Sequence, residues 1–517
     1  MSLADLILQR IQNQLAHTTA DTPSKWATRY RVLKDGPWNF RNHPWLRAMH
    51  DSTAPFNWGQ KAAQLGYSET ALNIAIYYND VKNQDVLYVL PVKVPDAANF
   101  SASRFNPALE LSPHLSRLYT DVQNIGHKRA GSANLYVRGS RSRSGLKSVP
   151  VSVVILDELN EMDPDNVTLV FERTSGQKTS LIWGISTPTV AGVGINKYYQ
   201  TSTQEHFFFP CPSCSRQIEL TFPESLDGNQ LICTLCRAIL HHEDKPNFLA
   251  HGKWVPSFPG RDERGFHISQ LYSSTVTPKQ FQTSYERSLL NPADEQEFYN
   301  SKLGLPHAVE GASITDADLD ACMGNFQRQS SSTVATVMGV DVGAKLHYTI
   351  RTYVITADGS HATLLQHGTV QEFEELDPLV NQFKVISGVM DANPERRKAL
   401  EFARRHPQFK LCFYGRGVQG RSIKEHTHEP TITVDRTSWI DAATSRIRQH
   451  SISLPSNIDN EYRSHLKNVV RLYVRDGDGN PVARYECPQG QDHYAHAETY
   501  AELAFHLSTN FRRSFNI

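Results

Sequence analysis

The chain has 517 residues, enough for two to four domains with cores of their own, and its 39% hydrophobic and 21% charged residues are those of an ordinary globular protein. Lys plus Arg number 53 and so do Asp plus Glu, so there is no global basic excess and any nucleic acid would be held by local patches. No apolar run reaches the length of a membrane-spanning helix, and seven cysteines, four of them in two CxxC pairs, favour a reducing compartment and a metal site over a disulfide framework.

In chain order, residues 1–50 begin with an amphipathic stretch, Leu3–Leu15, unlike a signal peptide, and continue irregularly with Trp26, Trp38 and Trp45 among prolines. Residues 51–205 alternate apolar strands with helical segments, an α/β pattern. Strands are expected in Asp85–Val94, Asn134–Gly139, Val151–Glu158 and Thr179–Thr187. Residues 206–258 carry the paired cysteines. Residues 259–333 form a mixed connecting segment, helical near Pro278–Leu290 and ending in the polar linker Gln327–Thr333. From residue 334 to 517 the pattern is more regular. A strand ending at Asp341 precedes two alternating strands around an Ala-Asp-Gly-Ser turn. A helix (Glu374–Phe383), the strand Val385–Asp391, a helix from Pro394 and the strand Lys410–Gly415 follow. That β-β-β-α-β-α-β succession is the order of the ribonuclease H fold.

The first chemical signal is the apolar run Val153–Leu156 followed by Asp157 and Glu158. A buried parallel strand would deliver both carboxylates at its C-terminal end, Asp157 to a Mg²⁺ shell and Glu158 to an attacking water. The nearest phosphate-binding loop is Lys61-Ala-Ala-Gln64-Leu-Gly66-Tyr67-Ser68, ahead of a helical segment. Tyr67 stands where G-x-x-x-x-G-K-[ST] has its lysine, and Lys61 where it has its first glycine, so the charge is moved to the loop's start. Ser186 and Thr187, ending a further strand, could sense the γ-phosphate. Arg138, Arg141 and Arg143 are candidates for an arginine finger, a grip on phosphate backbone, or a solvated loop. The plainer alternatives are a helix start with a solvated lysine and a strand running into a charged helix.

Cys211 and Cys214 are separated from Cys233 and Cys236 by eighteen residues, a spacing that fits a tetrahedral Zn²⁺ ribbon. Four thiolates leave no open position, so the site is expected to be structural. Binding would supply on the order of 10 kcal/mol to an insert without a core of its own.

Two-metal phosphodiester hydrolysis needs carboxylates converging on two Mg²⁺ or Mn²⁺ ions. In the ribonuclease H order Asp341 takes the first place and Asp391 the second. The third is expected from the helix Asp492–Phe505, where Asp492 and His496 share a face at i, i+4, with His493 near it and Glu498 turned away.

Taken together, KAAQLGYSE, VVILDELNEMD, ISTPTVAGVGI and FFFPCPSCSRQIEL resemble the large terminase subunit of tailed bacteriophages, specifically the lambda-like group, over Trp26–Phe505. The resemblance implies a P-loop packaging ATPase with a parallel sheet, a zinc-ribbon insert and a C-terminal ribonuclease H-like nuclease. It implies a phosphate-contacting Lys61, Walker B Asp157, catalytic Glu158, an ATP-coupling motif at Ser186–Pro188, and nuclease metal ligands Asp341 and Asp391. Many such proteins carry Asp where His496 aligns, which leaves the last ligand open among Asp492, His496 and His493. ATP with Mg²⁺ is implied as cofactor. The implied partners are double-stranded DNA, a small terminase subunit that Leu3–Leu15 could dock, the portal of a procapsid, and a ring of identical subunits in the host cytoplasm. Two rival readings are a zinc-ribbon DNA-binding scaffold with a degenerate ATPase and a resolvase-like nuclease with an ATPase domain.

Overall fold

The computed structural model describes residues 21–514 except 93–95, 121–122, 125, 142–145, 147–149, 175, 178–179, 357–358, 416, 476–479 and 489. The chain divides into two compact units, Met1–His307 and Ala308–Ile517.

The first unit is built on a largely parallel sheet. Its strands are β1 (Phe56–Lys61), which leads into helix α1 (Tyr67–Asp80), then β2 (Val86–Leu90), β3 (Ala133–Gly139), β4 (Val153–Asp157), β5 (Leu181–Ser186), β6 (Glu205–Pro210) and β7 (Arg264–Ile268). They lie in the order β6-β7-β1-β5-β4-β2-β3, with short antiparallel strands at both margins. Every residue of β2, β4 and β5 is buried, as expected of strands covered on both faces. Alternation divides them between two cores: Tyr88, Ile155 and Trp183 face α1, while Val89, Leu156 and Ile182 face the other side.

β1 does not look like a central strand in sequence, because Asn57 and Gln60 are buried in it. Both amides are fully engaged. Asn57 accepts from Ser52 and donates to the Ala54 carbonyl, while Gln60 accepts from Asn196 and donates to the Gly304 carbonyl. Paired in this way, burial of the polar groups costs little.

The segment boundaries differ from the sequence expectation. β7, placed in the connecting segment 259–333, lies beside β1 in the middle of the sheet, and β6, at the start of 206–258, pairs parallel with β7. The cysteine-bearing segment is also not coreless: Ile218, Leu220, Leu231 and Leu240 belong to the same buried cluster as the α1 face of the sheet. The second unit begins well before residue 334, since Ile314, Leu319 and Cys322 pack into its interior.

In the second unit β8 (Thr336–Val342), β9 (Leu346–Thr356) and β10 (Gly359–Val370) pair antiparallel in sequence. On the other flank of β8, strands β11 (Val385–Asp391), β12 (Phe409–Tyr414) and β13 (Thr431–Val434) follow in parallel. This is the strand succession read from the sequence; Ala357 and Asp358 of the expected turn lie outside the described residues. Helices α2 (Arg436–Arg448) and α3 (His493–Ser514) complete the layer. α3 crosses β8 at Gly339, where a Cβ would stand 2.0 Å from the Ala497 carbonyl oxygen and 2.3 Å from the Ala501 nitrogen. Only glycine permits that approach. A buried ion network fixes the helix: Arg351 pairs with Glu498 and Glu502, Arg446 with Glu502, and Tyr462 donates to Glu498. Glu498 is thereby turned into the core.

Candidate functional site

β1, β5 and β4 are adjacent and parallel, so Lys61, Ser186–Thr187 and Asp157–Glu158 emerge side by side at their carboxyl ends, where open α/β sheets bind ligands. The loop after β1 turns through two left-handed residues, Gln64 (φ 60°) and Gly66 (φ 83°), before α1 begins. At Gly66 a side chain would also strike Leu46, 2.7 Å from a built Cβ. The first N–H groups of α1 have no intrahelical acceptor, the ordinary condition of an anion-binding helix start.

Lys61 is 6% exposed, and its Nζ lies 3.2 Å from Glu158 Oε1 and 3.5 Å from Thr187 Oγ1. It therefore connects the acid after β4 with the hydroxyl after β5. The Ser68 hydroxyl donates to Asp157 Oδ1 at 3.1 Å, and the Tyr88 hydroxyl to Oδ2 at 2.7 Å. Burial, with the neighbouring Glu158 charge, pushes the Asp157 carboxyl up to about 6; a bound cation would offset that cost. Glu158 has a left-handed backbone (φ 60°, ψ 51°), unusual for a residue with a side chain, which projects its half-exposed carboxylate away from the strand. Ser186 is turned inward: it accepts from the Asn160 N–H and ties β5 to the turn after β4. Tyr88 was not foreseen; its single polar atom inside an apolar strand is the only sequence signal it carries.

Tyr67 does not serve as a ligand through its side chain. Its ring is 1% exposed and lies over Gly59, where a Cβ would be 2.7 Å from Cε1. Its hydroxyl has no hydrogen-bond partner. Only its main chain remains available to a phosphate. Arg138, on β3, donates to the Gly126 and Val137 carbonyls, Arg141 is exposed, and Arg143 lies outside the described residues. The finger assignment is thus not made by contact with the Lys61–Glu158 pair.

Four sulfurs converge in the 206–258 segment: the Sγ atoms of Cys211, Cys214, Cys233 and Cys236 all lie within 4.8 Å of one another, with Cys211 and Cys236 3.9 Å apart. Tetrahedral Zn–S bonds of about 2.3 Å place sulfurs about 3.8 Å apart. Each CxxC turn ends in a left-handed residue, Ser215 (φ 59°) or Arg237 (φ 64°). The N–H groups of Leu235 and Cys236 point at Cys233 Sγ, and hydrogen bonds from Arg216 lower the Cys214 thiol to about 6. These donors favour thiolate.

In the second unit the parallel register of β8 and β11 pairs Val340 with Met390, so Asp341 and Asp391 leave the sheet as neighbours. Asp341 is 6% exposed. Burial pushes Asp391 up to about 6, the Asn393 N–H opposes the shift and the Asp341 charge adds to it.

For the third position the sequence leaves Asp492, His496 and His493 open. His493, not Asp492 or His496, reaches Asp341, with Nδ1 2.8 Å from Oδ2. Asp492 is turned to His496 Nε2 (3.3 Å) and Arg436 (4.0 Å), and His496 Nδ1 to the Tyr414 hydroxyl (3.0 Å). Burial raises Asp492, but the His496 hydrogen bond and charge outweigh it and leave the group below its usual range. His347, missed in the sequence, sits directly opposite Asp341 in the β8–β9 register, and its ring stacks on His493 at 4.5 Å. Cross-strand partners share a face, so counting across the short turn between Val342 and Leu346 would have found it.

Residues 33–254 match the family model described as phage terminase large subunit gpA, ATPase domain. No curated protein matches. Among solved structures, the large terminase of bacteriophage HK97 is 11% identical with a TM-score of 0.52, covering 94% of this chain and 99% of that one. The large terminase ATPase domain of Thermus phage P74-26 is 16% identical with a TM-score of 0.33, covering 53% and 98%. The large terminase nuclease of a thermophilic phage is 14% identical with a TM-score of 0.24, covering 36% and 95%. No helix of the described residues is long and apolar enough to cross a membrane. Residues 33–254 are thus similar to the ATPase domain of the phage large terminase subunits, and the fold is shared with the HK97 large terminase along nearly its whole length.

Proposed function

We propose that the chain is the motor and nuclease of a DNA-packaging machine, coupling ATP hydrolysis to translocation of double-stranded DNA into a procapsid and cutting concatemeric DNA. The observation that carries the motor reading is the convergence of Lys61, Asp157, Glu158 and Thr187 at three adjacent strand ends with Ser68 at the start of α1. Gln64, Gly66, Tyr67 and Ser68 would supply main-chain N–H groups to the phosphates, and Lys61 a charge. Ser68 and Asp157 would hold Mg²⁺, which screens the developing phosphoryl charge. Glu158 would orient the attacking water; on binding, ATP would draw Lys61 from Glu158 and free that carboxylate. Thr187, 3.5 Å from Lys61, would report phosphate occupancy to β5. The finger would come from Arg138, Arg141 or Arg143, or from a neighbouring subunit in a ring.

Asp341 and Asp391 would hold the nuclease metals, Mg²⁺ or Mn²⁺, with His493 completing the set in place of Asp492 and His496. Zn²⁺ on the four cysteines would be structural. A small terminase subunit and a portal would be the partners, and the host cytoplasm the compartment.

The test is double. Glu158→Gln should abolish DNA-stimulated ATP turnover and leave Mn²⁺-dependent nicking of supercoiled plasmid intact, and Asp341→Ala or Asp391→Ala should do the reverse. Turnover that persists in Glu158→Gln would sink the motor assignment. Cleavage surviving in both Asp variants would mean the nuclease centre lies elsewhere.

A further inference from the structure

We propose that the nuclease unit contains a nitrogen-rich site for a divalent transition cation, formed by Asp341, His347 and His493 and backed by Glu461 and His465. It rests on the nuclease reading only for its use; the site itself stands on geometry.

One ligand atom from each of Asp341, His347 and His493 lies within 4.8 Å of the others, and the same holds for His347, Glu461 and His465. His347 is common to both groups. It is 4% exposed, its Nε2 lies 3.6 Å from Glu461 Oε1, and its Nδ1 has no hydrogen-bond partner. A buried imidazole nitrogen without a partner is costly, and a cation drawing on this face would remove that cost. Bonds of about 2.1 Å span nitrogens up to about 4.2 Å apart, so closing the group on an ion takes a shift of under about 1 Å.

The donor set decides the class of ion. Mg²⁺ prefers oxygen and water in near-octahedral array. Two imidazoles beside one carboxylate suit Mn²⁺, Co²⁺ or Zn²⁺ instead. The positions are built in. The strand register sets His347 opposite Asp341, and the packing of α3 on Gly339 sets His493 at the helix start.

The test uses the full chain, zinc-loaded and nucleotide-free, with Mn²⁺ alone as probe and excess Mg²⁺ as competitor. Electron spin-echo modulation should show ¹⁴N coupling from imidazole on bound Mn²⁺. His347→Gln and, separately, the more exposed His493→Gln should each weaken that binding about 10-fold or more and reduce the ¹⁴N modulation. Asp391→Asn should leave the modulation in place. Bound Mn²⁺ without ¹⁴N coupling, or coupling unchanged in both histidine variants, overturns the site. Plasmid nicking run in parallel separates the two readings. Cleavage without ¹⁴N coupling leaves the nuclease and removes the nitrogen site, whereas coupling lost in the variants of a chain that never cleaves leaves the site and removes the nuclease.

Discussion

The substitution that best tests the nucleotide site is the one that restores the consensus, Tyr67→Lys. If a lysine were simply missing from the usual position, supplying it should help. The structure predicts harm. Tyr67 is 1% exposed, with its ring over Gly59 and against the core shared by α1 and β5. Removing a buried aromatic ring costs about 3–5 kcal/mol, which the lysine stem would only partly recover, and its ammonium would be buried with no carboxylate in contact. A net loss of about 3 kcal/mol corresponds to a fall in Tm of about 5 °C for a unit of this size. Tyr67→Phe, which deletes only the unpartnered hydroxyl, should be neutral or raise stability by about 1 kcal/mol without changing ATP turnover. Lys61→Ala should lower turnover about 100-fold or more, and adding Tyr67→Lys should not rescue it. The assay is steady-state ATP hydrolysis alongside thermal unfolding of the four variants. A Lys61→Ala/Tyr67→Lys chain that melts like wild type and regains turnover would refute the displaced-lysine reasoning.

Gly339→Ala should destabilise the second unit by about 1–3 kcal/mol or more and impair nicking, because the new Cβ meets main-chain atoms of α3, 2.0 Å and 2.3 Å away, that cannot rotate aside; an unchanged melt would mean α3 does not lie on β8. The first unit should lose stability in acid: burial lowers His50 and His267 to about 4 each, so between about pH 6.5 and 4 the unfolded chain binds protons that the folded chain refuses. Stability then falls with falling pH by up to about 3 kcal/mol per group, and urea unfolding at about pH 7 and pH 4.5 that gives equal midpoints would contradict it. Chelation of the cysteine cluster, checked by metal analysis at one Zn²⁺ per chain, should lower the melting temperature of the whole first unit, since Cys211 and Cys233 sit in the same core as Trp183; a change confined to amide exchange in 206–258 would show that the cluster is independent.

Legibility followed the physics of each strand. β4 was readable because a strand covered on both faces needs an unbroken apolar run, and Val153–Leu156 supplies one. β1 was not, although it carries Lys61. Its buried Gln60 amide is satisfied by Asn196 and Gly304, 136 and 244 residues away along the chain, and no local window contains those partners. β7 fails for a related reason: Arg264 and His267 are held by Glu205 and by the Leu303 carbonyl. Cutting the chain into segments by composition therefore separated strands that share one sheet.

The surroundings of Asp341 show a different limit. Helical periodicity placed Asp492 and His496 on one face, and they do meet, at 3.3 Å. Meeting each other is what turns them from Asp341: His496 has its second nitrogen on Tyr414, and Asp492 has Arg436 nearby. Periodicity within an element says which side chains are neighbours, not which of them are left with unused valence toward another element. That second question is settled between elements, by the register that sets His347 opposite Asp341 and by the glycine contact that brings the start of α3 to the end of β8. His493 was the least regular choice on the helix face, and it is the one that reaches Asp341, because it is the first residue of α3 and has no preceding turn to occupy it.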